Sequence, residues 1–483
     1  YGKAYKLFSV KRIFLFSNVL STTGSALCAT AISSHMLVLG RAIAGFGYAG
    51  LNTGAMIILA RSTPLPTRPT YLGFWSALTG LAIVAGPLIG GIITQTIGWR
   101  YCFYMNLPIG GLTLLLTAFC LPEPTPSAAV VRLSRKEKWA QFDLVSSLAL
   151  IPALSSLFLA LSWAGNRYPW HSSVTISLLV AFSLLGAAFI YHQFRRGETA
   201  ALPVRIMANT TVFGSFVFAT SLGGAAIVLE NYLPIYFQVV RSFDPVQSGY
   251  LMLAILLTAT LGAVGSGLAT TSCGYYAPFM FVTSGTVPIA AGLITTFGLN
   301  TCLAKIILVT ALFGLGYGVG SVGPVIAVQT VLADEDISIG ISAVQFGSSL
   351  GPSMAVSIAH QVFTSRLSHK LETLVSHSSS SMLRHEGLME LGRTLSHEQA
   401  REVARDVNGS LTAVWYLVVA SGCVIFLSCL LLEWCSVKKA SFEHDLEIEG
   451  RSCFAKIYDW CVSIHQRSQA KALQGRHERQ ESA

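Results

Sequence analysis

Twelve apolar runs, each about the length of one bilayer crossing, constrain this chain more than anything else in it. They lie near residues 13–31, 36–60, 71–93, 102–121, 142–163, 172–194, 211–237, 248–270, 277–297, 304–332, 338–362 and 411–432. Lipid offers no hydrogen-bond partners, so every backbone N–H and C=O in such a run must be satisfied internally. A chain with this pattern folds as an all-α integral membrane protein. The charge content agrees: 11% of the 483 residues are charged, against about 25% for a soluble domain. The net charge of +9 sits in short connections and the C-terminal tail, which marks a membrane surface and not a nucleic-acid partner.

Orientation follows from the short connections. Lys3, Lys6, Lys11 and Arg12 precede the first run. Arg61 and Arg68 follow the second, Arg132, Arg135, Lys136 and Lys138 the fourth, and Arg195, Arg196 and Arg205 the sixth. These fall on one side, which the positive-inside bias makes cytoplasmic. The alternate connections hold Arg100, Arg167 and Arg241, and the loop at Asp334–Asp336 carries no positive charge. The long connection 363–410 is then outside. It holds an amphipathic stretch starting near Ser396, with Glu398/Arg401 and Glu402/Arg405 pairs that suit a surface helix. Asn408-Gly409-Ser410 is a glycosylation sequon on that side, whereas the sequon at Asn209 falls inside.

The ten cysteines are scattered, several within runs (Cys102, Cys120, Cys423, Cys429), without metal-site or disulfide-framework spacing. There is no Gly-x-x-x-x-Gly-Lys-Ser/Thr loop and no convincing nucleophile elbow or metal cluster. The expectation is a non-enzyme with no cofactor and no metal.

Two glycine-rich runs suggest moving parts. The third contains Gly80, Gly86, Pro87, Gly90 and Gly91, which predict a pliable, closely packed helix interface. The tenth contains Gly314, Gly316, Gly318, Gly320 and Gly323-Pro324. Interrupted helices of this kind point to a midplane binding site, and close helix packing alone explains them equally well.

Two charges lie well inside runs. Arg41 is costly there unless it faces a cavity or a partner, or unless its side chain snorkels to the nearby outer end. Glu230 is the acidic counterpart. A carboxylate inside a span is a candidate to take up and release a proton, and the alternative is a hydrated group near the outer interface. Phe74, Trp75, Tyr232, Tyr236, Phe237 and Gln238 are candidates to line a substrate cavity, and as core or lipid-facing residues they would look the same. Pro234 is expected to kink its helix.

At this point the motifs resemble those of the major facilitator superfamily, and within it the fungal 14-span drug:proton antiporter branch of toxin and multidrug efflux carriers. Arg41-x-x-x-Gly45-x-Gly47 resembles the fourth-span motif, whose arginine is associated with proton coupling. Gly80 with Gly86-Pro87-x-x-Gly90-Gly91 resembles the fifth-span antiporter motif. Trp99 to Gly110 resembles the start of the sixth span, and Tyr232-Leu233-Pro234-Ile235-Tyr236-Phe237-Gln238 the ninth. The resemblance implies two pseudo-symmetric helical bundles with 12 visible spans of 14. Tyr1–Arg12 would be the cytoplasmic loop between spans two and three. Residues 13–121 would be four helices of the N-terminal bundle, 122–141 a cytoplasmic loop and 142–194 two linker helices. Residues 195–432 would form the C-terminal bundle and 433–483 a cytoplasmic tail. The loop motif departs from the family at one point. Lys6 stands where an acid normally helps latch the halves, and Ser9 replaces a glycine. That puts gating by the latch in question.

The resemblance implies proton-coupled efflux of a small amphipathic compound by a monomer in the plasma membrane, or alternatively the vacuolar membrane. The small-molecule substrate, protons and the lipid bilayer are then its partners, with no nucleic acid. An importer, for instance of an iron chelate, and a non-transporting sensor, scaffold or inactive fragment remain as alternatives.

Overall fold

The computed structural model describes residues 1–121, 141–165, 167–374 and 397–438. All twelve apolar runs are helical, and among the described residues nine helices are long and apolar enough to cross a membrane. A short helix α1 (Gly2–Leu7) precedes the first bundle: α2 (Val10–Ala29), α3 (Ser34–Ser62), α4 (Arg68–Thr96), the one-turn α5 (Tyr101–Tyr104) and α6 (Asn106–Cys120). A hairpin of α7 (Leu144–Trp163) and α8 (Ser173–Arg196) follows, then the short α9 (Val204–Ala208). The second bundle comprises α10 (Thr210–Ile235), α11 (Pro245–Cys273), α12 (Ala277–Ile294), α13 (Leu303–Ser321), α14 (Gly323–Val331), α15 (Ile337–Leu374) and α16 (His397–Cys429).

Helix starts are written in the sequence. With four N–H groups unsatisfied at each N-terminus, a side-chain acceptor is favoured just before the first turn. The oxygens of Ser9, Ser33 and Ser172 accept from Arg12, Met36 and Thr175 backbone N–H groups, and Asn209 accepts from both Thr211 and Val212. Asp244 and Gln247 form a reciprocal capping box for α11, which ends at Gly274 in the left-handed region (φ +83°). Pro234 has no N–H to donate, and α10 passes at once into a π turn, Tyr236–Val240, closed by Arg241 N–H to the Tyr236 carbonyl at 3.1 Å.

Lipid tails are as apolar as leucine, so helices here associate through close packing and not through expulsion of water. The glycines of α13 show how. Gly314 and Gly318 press against the Ile255 and Ala259 carbonyls of α11, while Gly316 and Gly320 press against Thr286 and Thr283 of α12. Four glycines at alternate positions thus wedge one helix between two others, and Gly262 of α11 returns the contact, leaving 2.7 Å between a would-be Cβ and the Leu315 carbonyl. The tenth run breaks at Val322, where Gly323-Pro324 restarts the helix as α14.

Three expectations change. The outer connection is shorter than 363–410, because α15 continues to Leu374 and α16 begins at His397. The amphipathic stretch joins the last run as one helix that continues through Gly409. Asn408 lies inside α16, its Nδ2 donating to the Phe297 carbonyl at 3.2 Å and its Oδ1 buried without a partner. The sequon thus lies within a helix and against the core, not in an open outer loop. Most of the loop 122–141, residue Ser396 and the tail beyond residue 438 lie outside the described residues.

Asp143 fixes the base of the hairpin. Its buried carboxylate accepts from the Ser146 backbone N–H (3.1 Å) and from the Ala201 N–H (3.0 Å), with His192 Nδ1 3.5 Å away. Burial alone would raise its pKa, but these hydrogen bonds outweigh burial and hold it below the usual aspartate range. A depressed value in the folded state means stability that is present above the unfolded pKa and lost as pH falls through the folded one. Asp143→Ala is therefore expected to cost about 1–3 kcal/mol at neutral pH, with the difference from wild type vanishing in acid. Thermal unfolding in detergent across pH checks this. The same assay checks the packing of α13. Gly318→Ala should destabilise by about 1–3 kcal/mol, whereas Gly265→Ala, which meets nothing within 4 Å, should be neutral or slightly stabilising.

Candidate functional site

The two bundles meet along α4 and α11, and only part of each helix takes part. From its first turn to Gly80, α4 lies against α11. A Cβ on Gly267 would run into the Pro69 carbonyl at 2.5 Å, one on Gly73 would come within 2.7 Å of the Ala263 carbonyl, and one on Gly80 would touch Leu256 at 3.3 Å. Hydroxyl pairs cross the same seam: Thr70 with Thr271 at 2.8 Å and Ser76 with Ser321 at 3.0 Å. Beyond Gly80 the helices part. A Cβ on Gly86, Gly90, Gly91 or Gly249 would meet no atom within 4 Å.

This corrects the sequence expectation for the glycine-proline motif. The interface is built by Pro69, Gly73 and Gly80, while Gly86, Gly90 and Gly91 face open space, on a helix that runs unbroken through Pro87. The third run packs tightly where its helix starts and is uncovered where its glycines are densest. The bundles are closed at one end and open at the other.

The closed end is the basic end, where Lys3, Lys6, Arg61, Arg68 and Arg205 gather. Lys6 Nζ lies 2.8 Å from Asp336 Oδ1, and Arg205 Nη2 lies 2.7 Å from Asp336 Oδ2. Arg205 also pairs with Glu198 at 2.9 Å, Lys3 Nζ donates to the Glu198 carbonyl at 2.7 Å, and Arg68 donates to Gln329 at 3.3 Å. The Asp336 side chain is 8% exposed. Burial would raise its pKa, yet the hydrogen bonds from Lys6 and Arg205 prevail and keep it below the ordinary aspartate range. Its two oxygens pull Arg205 up in turn, behind Glu198, while burial draws Lys3 down.

The structure separates the charged candidates. Glu230 is half-buried on α10 with no hydrogen bond or ion pair to any described residue. Tyr317 of α13 is close enough for the two groups to interact electrostatically. Ten residues separate it from the end of the π turn, which is about 15 Å of helix. Arg41 is exposed seven residues after the start of α3, about 10 Å from that end, close enough to Cys28 for its charge to act on the thiol. No contact joins Arg41 to Glu230.

Most of the aromatic candidates leave the cavity. Tyr232, Tyr236 and Phe237 are 5%, 0% and 0% exposed in the core of the second bundle. Tyr232 packs edge-on against Phe363, and the Tyr236 hydroxyl donates to the Gly298 carbonyl at 2.9 Å. Tyr232 and Tyr236, four residues apart, share the covered face of the helix, Phe237 opens into the π turn beside them, and Gln238 is half-exposed. Trp75 packs partly buried on the same core, and Phe74 points out, 51% exposed. Sequence reasoning missed Asp336 and Ser321. The three consecutive acids Asp334, Glu335 and Asp336, in a loop without basic residues, were the available signal.

Residues 1–356 match the profile of the Major Facilitator Superfamily. The chain belongs to that superfamily. It is 35% identical over 447 residues to the MFS-type efflux pump MFS1 of Arthroderma benhamiae, covering 92% of this chain and 82% of that one. It is 35% identical over 444 residues to the efflux pump aflT of Aspergillus parasiticus, covering 91% and 85%. Against the efflux pump ustT of Ustilaginoidea virens it is 34% identical over 450 residues, covering 92% and 83%. Among solved structures, the human organic anion transporter MFSD10 superposes with a TM-score of 0.52 at 15% identity, covering 86% of this chain and 79% of that one. The proton:xylose symporter XylE gives 0.52 at 14% identity, covering 89% and 80%. These two likenesses establish the fold. The protein is thus a multi-pass membrane transporter of the all-α superfamily fold, and the superfamily consists of small-molecule carriers, not enzymes.

The burial of Tyr236 gives a direct check. Tyr236→Phe removes one buried hydrogen bond and should cost about 1 kcal/mol of stability without changing which compounds are transported. A shifted substrate profile in a stable variant would return Tyr236 to the cavity.

Proposed function

We propose that this transporter exports a small amphipathic compound, such as a toxin, secondary metabolite or drug, in exchange for protons. The export direction is supported by relatives that share about a third of their residues with nearly the whole chain and are named efflux pumps. The observation that carries the proton step is Glu230: a carboxylate about ten residues inside its helical segment, half-buried and without an ion pair or hydrogen bond among the described residues. A carboxylate so placed is a functional group by default, and with no fixed cation beside it, its charge is set by proton binding. Arg41 serves as the second coupling charge, reached from the open end. The basic end faces the cytoplasm, so the conformation described is open to the outside, with the plasma membrane as the working location. The protein acts as a monomer with no cofactor.

In proteoliposomes with an imposed pH gradient, rhodamine 6G flux should run opposite to the proton gradient. Glu230→Gln should lower gradient-driven flux by about tenfold or more while leaving gradient-independent exchange largely intact, because the neutral amide still permits substrate binding. Flux parallel to the proton gradient would make the protein an importer. Undiminished driven flux in Glu230→Gln would remove this residue from the coupling step.

Gly86, Gly90 and Gly91 become the seam of the alternate state, in which the open end closes. Gly90→Leu has room in the conformation described and should fold normally, yet slow transport severalfold by obstructing closure. Equal loss of folded protein and transport would show a structural role only.

A further inference from the structure

The α7–α8 hairpin joins the two bundles along the chain, yet the transport reading gives it no task. Its packing is one-sided. Beyond α8, the main partner of α7 among the described residues is α15 of the second bundle, and no first-bundle helix makes a comparable contact with the hairpin. Buried polar contacts fasten it at both ends. At the basic end, the Asp143 carboxylate accepts from the Ala201 N–H at 3.0 Å and Gln193 Oε1 accepts from the Leu202 N–H at 3.2 Å. Asp143 caps α7, Gln193 lies in the last turn of α8, and residues 201 and 202 lead into α9 and the second bundle. At the outer end, Gly165 follows α7 with φ +75° and donates its N–H to the Tyr168 carbonyl at 2.8 Å. The amide of Gln361, buried on α15, occupies the space where a Cβ at position 165 would stand. Its Nε2 donates to Ser365 Oγ, one turn further along, at 3.1 Å, which sets the orientation of the amide.

We propose that the hairpin is a brace built into the second bundle: clasped by Asp143 and Gln193 at one end and by Gln361 at the other, it travels with that bundle when the carrier changes conformation. Asp143, Gln193 and Gln361 are all buried, and pulling the clasps apart would strand their polar groups away from water, which is costly. The contacts with the chain before α2 are of another kind. The Phe8 ring meets Phe142 edge-on at 6.4 Å, and Lys3 donates to the Glu198 carbonyl at 2.7 Å. Both lie at the basic end, where they are released when that end opens. The brace also has something to support. Pro352 removes a backbone hydrogen bond from the middle of α15. Gln361 lies beyond it towards the outer end, so the clasp holds the half of the helix that the proline isolates. The inference rests on the two-state motion of the bundles given under the proposed function, and not on the substrate, its direction or Glu230.

Spin labels test this in full-length protein with the native cysteines replaced. The exposed positions 170, 246 and 32 mark the outer ends of the hairpin, the second bundle and the first bundle. Labels at 86 and 249 report whether the bundles move at all. When rhodamine 6G is added or pH is lowered, the 170–246 distance should stay single and unchanged. The 170–32 distance should show two populations that shift in step with those at 86 and 249. Gln361→Met keeps the bulk of the side chain but not its amide, and should broaden the 170–246 distribution about 1.5-fold by loosening the outer clasp. That broadening needs no motion of the bundles, so failure of the two-state motion and failure of the brace give different results. A 170–246 distance that changes with ligand or pH, a 170–32 distance that stays fixed while 86 and 249 separate, or an unbroadened distribution in Gln361→Met would each overturn the proposal.

Discussion

A bilayer gives backbone groups no partners and apolar side chains no reason to leave lipid, and the rest of this structure depends on that constraint. It makes every long segment a helix, and it removes the usual driving force for joining helices. What remains is close contact through small residues and a few polar cross-links. Gly73 and Gly267 bring α4 and α11 together at one end, Thr70 with Thr271 and Ser76 with Ser321 pin the seam, and the charged groups at the membrane surface complete it. Where these devices stop, beyond Gly80, the bundles separate. The shape of the central opening is thus set by which few residues lack a Cβ and not by a continuous apolar core.

Much of this was legible in the sequence, because the signals were one-dimensional. Run length gave the helices and Pro234 a disturbance in α10, whereas the caps at Ser9, Ser33, Ser172 and Asn209 emerge only in the structure. What was not legible depended on rotation about a helix axis and on partners distant in sequence. Tyr232, Tyr236 and Phe237 sit near a half-exposed Glu230 in the sequence, yet they face the core: Tyr232 and Tyr236 are one helical turn apart on a covered face, and which face is covered depends on neighbours distant in sequence. The glycines of α4 were read as one interface, but whether a glycine face is covered depends on its neighbour. Lys6 put the loop's gating in question because its partner Asp336 lies 330 residues away.

Charge is distributed with equal economy. At the basic end every acid discussed is held by cations. Further along the helices, Glu230 and Arg41 stand apart from each other, with no ion-pair partner among the described residues. Paired charges at the closed end suit a holding role, since their worth is lost on separation. An unpaired carboxylate suits a group whose charge must change during a cycle. The same residue chemistry thus serves closure in one place and coupling in the other, and the difference is the presence of a partner.

The central claim is that closure of the basic end and opening of the opposite end are one motion. Distance distributions between spin labels at positions 70 and 271, and separately at positions 86 and 249, measure both ends of the α4–α11 seam. The account predicts two populations at each end, with the short distance at the first pair coexisting with the long distance at the second. Lowering pH or adding substrate should shift both distributions together in opposite senses. Distances that change at one end without the other, or that remain single and fixed under all conditions, would contradict it.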